Sequence, residues 1–382
     1  MDFWKRAQEL KDEITQNRRR IHQNAEVGLN LPNTKAFVME KLREYGLKPT
    51  ECGHGVTATL GKPGKTLLLR ADMDALPMPE ESGEPFACPT GETAHACGHD
   101  MHTAMLLTAA KMLKENEDAL CGTVKLMFQP AEETFEGAHD MLENGLLENP
   151  PVDAALAYHV AAGKSPVGFV MYNDSGVMMA SVDGFEITVH GHGSHGANPN
   201  LAIDPINVGV HIHLALQELI ARESDPTKTC VLTIGQFMAG TAANIIPDTA
   251  VLRGTIRTND KKARALLVRR MRETAERTAA VYNATVEIQT LSEVCPLVCD
   301  KSVTDAALHG RAEHSELYAV RRHFGDRLRR LCTCGRTCAE RNDVPWRGLH
   351  GRARTVHRAQ PEGRLQRGRP PHRRGVHGAL RG

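Results

Sequence analysis

The sequence lacks the features of a membrane protein or a secreted precursor. No apolar run approaches the ~20 residues that a membrane span requires. The N-terminal stretch is charged and amphipathic, without the apolar core of a secretory signal. Aromatic residues are scarce at 4%, whereas 41% of the residues are hydrophobic and 24% are charged, as in folded globular proteins. We therefore expect a soluble, cytoplasmic protein without a membrane partner.

Lysine is absent from residues 321–382, which hold 17 Arg and 4 acidic residues, a net charge of +13. The rest of the chain carries 30 Lys and Arg against 42 Asp and Glu, a net charge of −12. An Arg-rich tail is typical of nucleic-acid binders. The acidic body and the lack of aromatic residues interleaved with these arginines argue against that interpretation, so we expect no nucleic-acid partner. The tail also lacks apolar periodicity, which predicts disorder.

A chain of 382 residues is too long for one ordinary core. The first part predicts an α/β fold, because helices and strands alternate and a mostly parallel sheet is then covered on both faces. We predict a pair of helices within 2–47, a helix at 103–115, and strands at 56–60, 66–70, 123–129 and 154–160.

Residues 182–292 have a different pattern. We predict helices at 204–221 and 259–281 and strands at 185–191, 229–237, 249–258 and 284–290. Two helices on one face of a four-stranded sheet make a small α+β domain. It is predicted to be inserted, so that the first domain comprises 1–181 and the chain returns to it at 293–320.

The run HACGHDMH at 95–102 has the highest density of side chains that could bind a metal ion or act in catalysis. Cys97 and His99 are spaced so that a thiolate and an imidazole can converge on one metal ion. The motif Cys-x-His alone is weak, since a polar helix N-terminus with a buried cysteine has the same pattern. A site with thiolate, imidazole and carboxylate ligands suits Mn, Zn, Co or Ni.

Two carboxylates, Glu132 and Glu133, follow the strand 123–129. Sites in open α/β sheets lie at this edge. One carboxylate can bind metal while its neighbour holds a water as general base. Acidic residues also favour a helix N-terminus, which is the alternative interpretation.

Two further groups follow strand ends. His159 ends the strand 154–160, where a lone histidine is more often a core residue than a ligand. Asp74 follows the strand 66–70 and could orient His99, as carboxylates do for metal-bound imidazoles. Cys97, His99, Glu133 and His159 thus come from successive strand ends, a coincidence that favours a metal site.

Six ordered motifs over about residues 1–300 resemble the hippurate hydrolase and N-acyl-amino-acid amidohydrolase family, which is related to aminoacylases and carboxypeptidases. They are RADMDALP (70–77), HACGHD (95–100), QPAEE (129–133), the strand ending in His159, GHGSHGANP (191–199) and AANIIPD (242–248). The resemblance implies a metal-dependent amidohydrolase with two divalent metal ions per subunit. Cys97 would bridge them, His99, Glu133 and His159 would ligate, and Glu132 would activate the attacking water.

The resemblance also implies a small-molecule N-acyl-amino acid substrate and a homodimer in which the inserted domain is lid and dimerisation surface. His195 would stabilise the oxyanion, reaching a neighbouring subunit's site. Asn244 and Arg257 would hold the substrate carboxylate. By themselves, His195 is equally a polar loop residue and Asn244 a turn residue.

The last residues depart from the family, whose final metal ligand is a histidine in an Ala-His-Asn-Pro segment. This chain has TVHRAQPEGRLQRGRPP at 355–371. With suitable codons for 358–371, a shift of one base reads Ala-His-Asn-Pro-Lys-Ala-Ala-Phe-Asn-Glu-Asp-Val-Leu. We interpret the tail as frameshifted. The alternatives to the amidohydrolase are a dipeptidase or aminopeptidase of the same clan, or a metal-binding remnant with impaired catalysis.

Overall fold

The computed structural model describes residues 1–161, 167–173, 176–309, 318–321 and 350–351. The helices are α1 (Phe3–Glu9), α2 (Lys11–Gln23), α3 (Pro32–Glu44), α4 (His99–Glu115), α5 (Gly137–Glu143), α6 (Pro205–Glu218), α7 (Lys261–Val281) and α8 (Lys301–His309). The strands are β1 (Thr50–Cys52), β2 (Gly55–Gly61), β3 (Thr66–Asp72), β4 (Thr123–Gln129), β5 (Ala154–Tyr158), β6 (Phe169–Tyr172), β7 (Gly176–Met179), β8 (Val182–His190), β9 (Ser194–His195), β10 (Cys230–Ala239), β11 (Ile245–Ile246), β12 (Thr249–Thr258), β13 (Thr285–Val294), β14 (Leu297–Cys299), β15 (Tyr318–Arg321) and β16 (His350–Gly351). None of the helices in these ranges has both the length and the apolar composition needed to cross a bilayer.

The first sheet has the strand order β1-β2-β4-β3-β5-β16. Strand β3 pairs in parallel with β4 and β5, and β16 pairs in parallel with β5, whereas β2 is antiparallel to both β1 and β4. The predicted α/β class is therefore confirmed. Because β3, β4 and β5 run in the same direction, the loops that follow them meet at one edge of the sheet.

Apolar side chains pack on both faces of this sheet. Leu126 and Phe128 of β4 belong to a core cluster that includes side chains of α3 and α4. Met127, which lies between them in the sequence, belongs to a second cluster that includes Met141 of α5. All four are fully buried, and burial of each such side chain contributes about 1.5–3 kcal/mol to stability. The strands that lead to the candidate site are thus held firmly in place.

The second sheet has the order β10-β12-β8-β13, with every neighbouring pair antiparallel. Phe185, Ile187 and Val189 alternate along β8 and pack in one core with residues of α6 and α7. The strands of this sheet lie between Val182 and Val294. The division into domains at 182 and 293 stays a prediction.

Two sequence predictions of helices are wrong in detail. The helix pair within 2–47 is three helices, because the chain leaves the helical conformation at Leu10, with φ −88° and ψ 7°. Helix α4 begins at His99 rather than at 103, because Gly98 adopts φ +92° and lets the chain turn directly into the helix. His99 is therefore the first residue of a helix rather than a loop residue.

The Arg-rich tail lies almost entirely outside the described residues. Within it, the structure gives only the backbone of Arg321, which is the last residue of β15, and the backbone of strand β16. Strand β15 pairs in parallel with β6. The predicted disorder of 321–382 and its frameshifted origin stay predictions.

Candidate metal centre

Gly98 brings the ligand loop close to the end of β5. A Cβ atom at this position would lie 2.4 Å from Cγ2 of Val160, and its φ of +92° is one that other residues rarely adopt. Only glycine therefore allows the chain between Cys97 and His99 to pack against the residue that follows His159.

Cys97, His99 and His159 form a compact group of metal-ligating atoms. Each offers one such atom, and the three atoms lie within 4.8 Å of one another. The Sγ atom of Cys97 is 3.3 Å from Nε2 of His159. The other ring nitrogen of His159 donates to the carbonyl oxygen of Val160 at 2.5 Å, which leaves the Nε2 lone pair facing the thiol.

His99 is held in the same way, by a hydrogen bond from its Nδ1 atom to a backbone carbonyl. Its Nδ1–H donates to the backbone carbonyl of Asp74 at 2.8 Å, and the Asp74 carboxylate lies 3.4 Å from the same nitrogen. Nε2 of His99 is buried without a hydrogen-bond partner among the described residues. It lies 3.8 Å from Oε1 of Glu133 and 3.9 Å from Oε2 of Glu132. The two carboxylates singled out in the sequence therefore lie next to this group of side chains.

Glu132 is fully buried, and neither of its carboxylate oxygens has a hydrogen-bond partner within the described part of the chain. Burial and the nearby charge of Asp72 raise the pKa of this carboxyl well above its usual value. A buried acceptor without a donor costs about 1–3 kcal/mol, so the site is incomplete as protein alone.

The charge around His99 favours a cation. Burial by itself lowers the pKa of His99, but Asp72, Asp74 and Glu132 raise it to about 10. The group combines thiolate, imidazole and carboxylate donors, which bind borderline divalent ions such as Zn²⁺. The residues therefore fit a divalent metal.

The loop that carries Glu132 and Glu133 has a constrained backbone. Ala131 and Phe135 adopt φ values of +48° and +68°, although neither is glycine. Such conformations cost about 1–3 kcal/mol each and persist only where surrounding contacts enforce them. Here the N–H of Ala131 donates to the carbonyl of Gly28 at 3.1 Å. The strain therefore lies in the loop that presents both carboxylates.

Asp72 is a site residue that the sequence analysis missed. It is fully buried, 2.7 Å from the Arg70 guanidinium, and accepts a hydrogen bond from Nδ1 of His102 at 2.6 Å. Although burial opposes ionisation, Arg70, His99 and His102 hold the pKa of Asp72 well below its usual range. Asp72 was visible in the motif RADMDALP, but the pattern does not distinguish its role from that of Asp74.

The other two histidines of the motif HACGHDMH have different positions. His102 donates to Asp72 and accepts the backbone N–H of Val160 at 2.8 Å, so both ring nitrogens are in use. His95 is buried with its ring nitrogens lacking hydrogen-bond partners among the described residues, and burial lowers its pKa to about 4. We therefore assign neither residue to the ligand group.

The structure brings His195 and Asn244 together but places Arg257 apart from them. Strand β9, which ends at His195, pairs with β11, and the N–H of Gly196 donates to the carbonyl of Asn244 at 2.8 Å. Arg257 is exposed near the opposite end of β12, about 27 Å along the strand from Thr249 at ~3.4 Å per residue. Among the described residues, no hydrogen bond or ion pair joins any of these three to the metal-binding group.

Buried His99 and partly buried Cys97, Glu133 and His159 thus form a group that fits a divalent metal ion, an arrangement typical of metal-dependent hydrolases. A family model described as "Peptidase family M20/M25/M40" matches residues 68–318. The chain belongs to this family, and it is a metal-dependent amidohydrolase.

Individual relatives agree with this assignment. Thermostable carboxypeptidase 2 of Saccharolobus solfataricus is 40% identical over 79% of this chain and 78% of its own length. Hippurate hydrolase of Campylobacter jejuni is 40% identical over 68% of this chain and 67% of its own. The Bacillus subtilis YXEP protein, described as a dinuclear metal-binding peptidase, is 30% identical, with a TM-score of 0.71 over 91% of this chain and 90% of that one. The family resemblance seen in the motifs is thus confirmed.

Proposed function

We propose that this enzyme hydrolyses the amide bond of N-acyl-amino acids, with two divalent metal ions and Glu132 as general base. The observation that carries the proposal is the buried Glu132 carboxylate, which lies 3.9 Å from Nε2 of His99 and whose two oxygens have no hydrogen-bond partner among the described residues. The substrate class is supported by relatives named hippurate hydrolase and N-acyl-L-amino acid amidohydrolase.

Cys97, His99, Glu133 and His159 would hold the two metal ions. When bound, two divalent ions acidify a water molecule and polarise the scissile carbonyl. The adjacent carboxylates then have different tasks. Glu133 would be a ligand, while Glu132 would accept the proton of the attacking water and deliver it to the leaving nitrogen.

His195 is proposed to stabilise the developing oxyanion, and Asn244 and Arg257 to bind the substrate carboxylate. His195 and Asn244 lie together at the β9–β11 pair, whereas Arg257 lies near the end of β12 that is remote from Thr249. We propose a homodimer in which His195 acts across the interface, so that two subunits supply these groups to one substrate.

The second sheet offers a surface for that dimer. Ile206, Val210 and Leu214 lie at helical spacing on α6, with 39%, 42% and 57% of their surface exposed. Strand β10 lies at the edge of the sheet, and an unpaired edge is a common pairing surface. We propose that a second copy of the chain covers this apolar face.

A substrate panel tests the function. The protein is loaded with Mn²⁺, Zn²⁺, Co²⁺ or Ni²⁺ and offered N-benzoyl amino acids, N-acetyl amino acids and dipeptides with a free amine. We expect metal-dependent release of the free amino acid from the N-acyl substrates. The carboxypeptidase relative favours peptide hydrolysis as a second candidate. Cleavage of the dipeptides with no turnover of N-acyl substrates would replace the proposal by that activity.

A further inference from the structure

A buried charged cluster lies beside the metal centre and takes no part in the proposed chemistry. Asp100 directly follows His99 in the first turn of α4 and is fully buried. Its Oδ2 atom accepts from Nε of Arg18 at 2.6 Å and from Nδ1 of His22 at 2.8 Å. Its Oδ1 atom accepts the backbone N–H of Met101 at 2.8 Å. The carboxylate thus joins α4 to α2.

The same cluster includes the loop between β3 and α4. Nε2 of His22 lies 3.1 Å from Oε2 of Glu80, whose side chain is almost fully buried. The ring of Phe86 packs edge-on against the ring of His22, with 5.5 Å between the ring centroids. The Cζ atom of the Arg18 guanidinium lies over the Phe86 ring, 5.0 Å from its centroid. Three separate segments therefore meet around the Asp100 carboxylate.

These contacts add to those that His99 and His102 make with Asp74 and Asp72 in holding the first turn of α4. Gly98 occupies the N-cap position and has no side chain that could accept a hydrogen bond from the helix N-terminus. Cys97 and His99 flank this glycine, so a rotation of the first turn moves both ligand atoms. Metal–ligand distances tolerate only about 0.2 Å, which makes the site sensitive to such a rotation.

We propose that Asp100 is a positioning residue of the metal centre, which acts through Arg18 and His22 to hold the first turn of α4. The inference rests on the proposed metal site and extends it to α2, an element that supplies no proposed ligand. Asp100 itself is not a ligand, because its carboxylate is engaged by α2 and by the backbone. Its effect reaches the metal through the backbone that carries His99.

Cobalt binding to the full-length protein tests the proposal without using catalytic activity. Co²⁺ has d–d and thiolate charge-transfer absorption bands that report ligand geometry. The variants are Asp100→Asn and Arg18→Gln; Arg18 is partly exposed, so its replacement is expected to fold. The matched control is Asp183→Asn in β8, which removes another buried carboxylate, with a side-chain exposure of 9% against 0% for Asp100, paired with Arg264 at 2.6 Å.

We expect Asp100→Asn to weaken Co²⁺ binding by about 10–100-fold, the usual loss when an outer-shell partner of a metal site is removed, and to shift the absorption bands. Arg18→Gln should act in the same direction to a smaller degree. Asp183→Asn should lower thermal stability while leaving affinity and bands unchanged.

Parental affinity and spectra in both Asp100→Asn and Arg18→Gln would overturn the inference, and so would an equal loss of affinity in Asp183→Asn. A parent protein that binds no Co²⁺ would instead contradict the metal centre, and with it the proposed function.

Discussion

Gly137 is the residue whose replacement should most directly disturb the loop that carries Glu132 and Glu133. A Cβ atom added to Gly137 would lie 1.6 Å from the carbonyl oxygen of Pro130 and 2.5 Å from its carbonyl carbon. Both are backbone atoms and cannot rotate away as a flexible side chain would. Gly137→Ala therefore forces the chain at one end of this loop to move.

The size of the movement follows from the geometry. Cβ contacts under 3.0 Å are essentially never seen, so the carbonyl of Pro130 must retreat by about 1.4 Å. Pro130 lies two residues before Glu132, and Ala131 between them already has a φ of +48°. A displacement of ~1 Å at a catalytic group can cost about 10²-fold in rate. Overpacking of this kind also costs about 1–3 kcal/mol of stability.

We expect Gly137→Ala to lower kcat by about 10²-fold and to lower the melting temperature, measured with an N-acyl-amino acid substrate and by thermal unfolding. The control is Gly235→Ala, where an added Cβ meets nothing within 4 Å and the backbone φ is ordinary. That variant should keep the melting temperature of the parent, and because Gly235 lies on the proposed dimer edge, its kcat is compared at equal dimer content. A Gly137→Ala protein with kcat within threefold of the parent would show that the loop adapts freely and that its geometry does not set the rate.

Three further predictions concern the proposed chemistry. Glu132→Gln should lower kcat by about 10²–10⁴-fold with unchanged metal content, and activity within tenfold of the parent would exclude it as the general base. His195→Ala should lower kcat by about 10²–10³-fold. Mixing that variant with Glu132→Gln should restore activity in mixed dimers, and mixed dimers that form but stay inactive would show that His195 does not act across the interface. Replacing 358–371 by the frame-shifted peptide should raise turnover and melting temperature above those of the present chain, and equal values in both chains would contradict the frameshift interpretation.

Much of the first sheet was predictable because its strands are simple patterns. Strand β4 has the predicted bounds, and β2, β3 and β5 differ from prediction by two residues or fewer at either end. These strands are short, apolar and bounded by Gly, Pro or charged residues, which are strong local signals. The edge of the sheet then followed from strand direction, and it correctly placed Cys97, His99, Glu133 and His159 near one another.

The contacts that complete the site were not predictable, because they join residues far apart in sequence. The link between Asp100 and His22 spans 78 residues, and the link between Asp72 and His102 spans 30. Each of these residues is locally an ordinary helix or strand residue. Their partnership depends on how α2 packs on α4 and how α4 packs on β3, which local patterns do not encode. The backbone conformations at Ala131 and Phe135 are likewise set by tertiary contacts.

The candidate ligands are unevenly distributed along the chain. Cys97, His99, Glu133 and His159 all precede the second sheet, so the contacts that they make with one another lie within residues 1–161. On the frameshift interpretation, a departure from the family after about residue 320 therefore leaves these four groups in the sequence, whereas the ligand that the resemblance places near the C-terminus is lost. Metal binding and turnover should then separate, because the first group can still bind an ion whereas activation of water by two ions requires both sites. Metal stoichiometry measured together with kcat distinguishes this state from a folding failure, in which both would be lost.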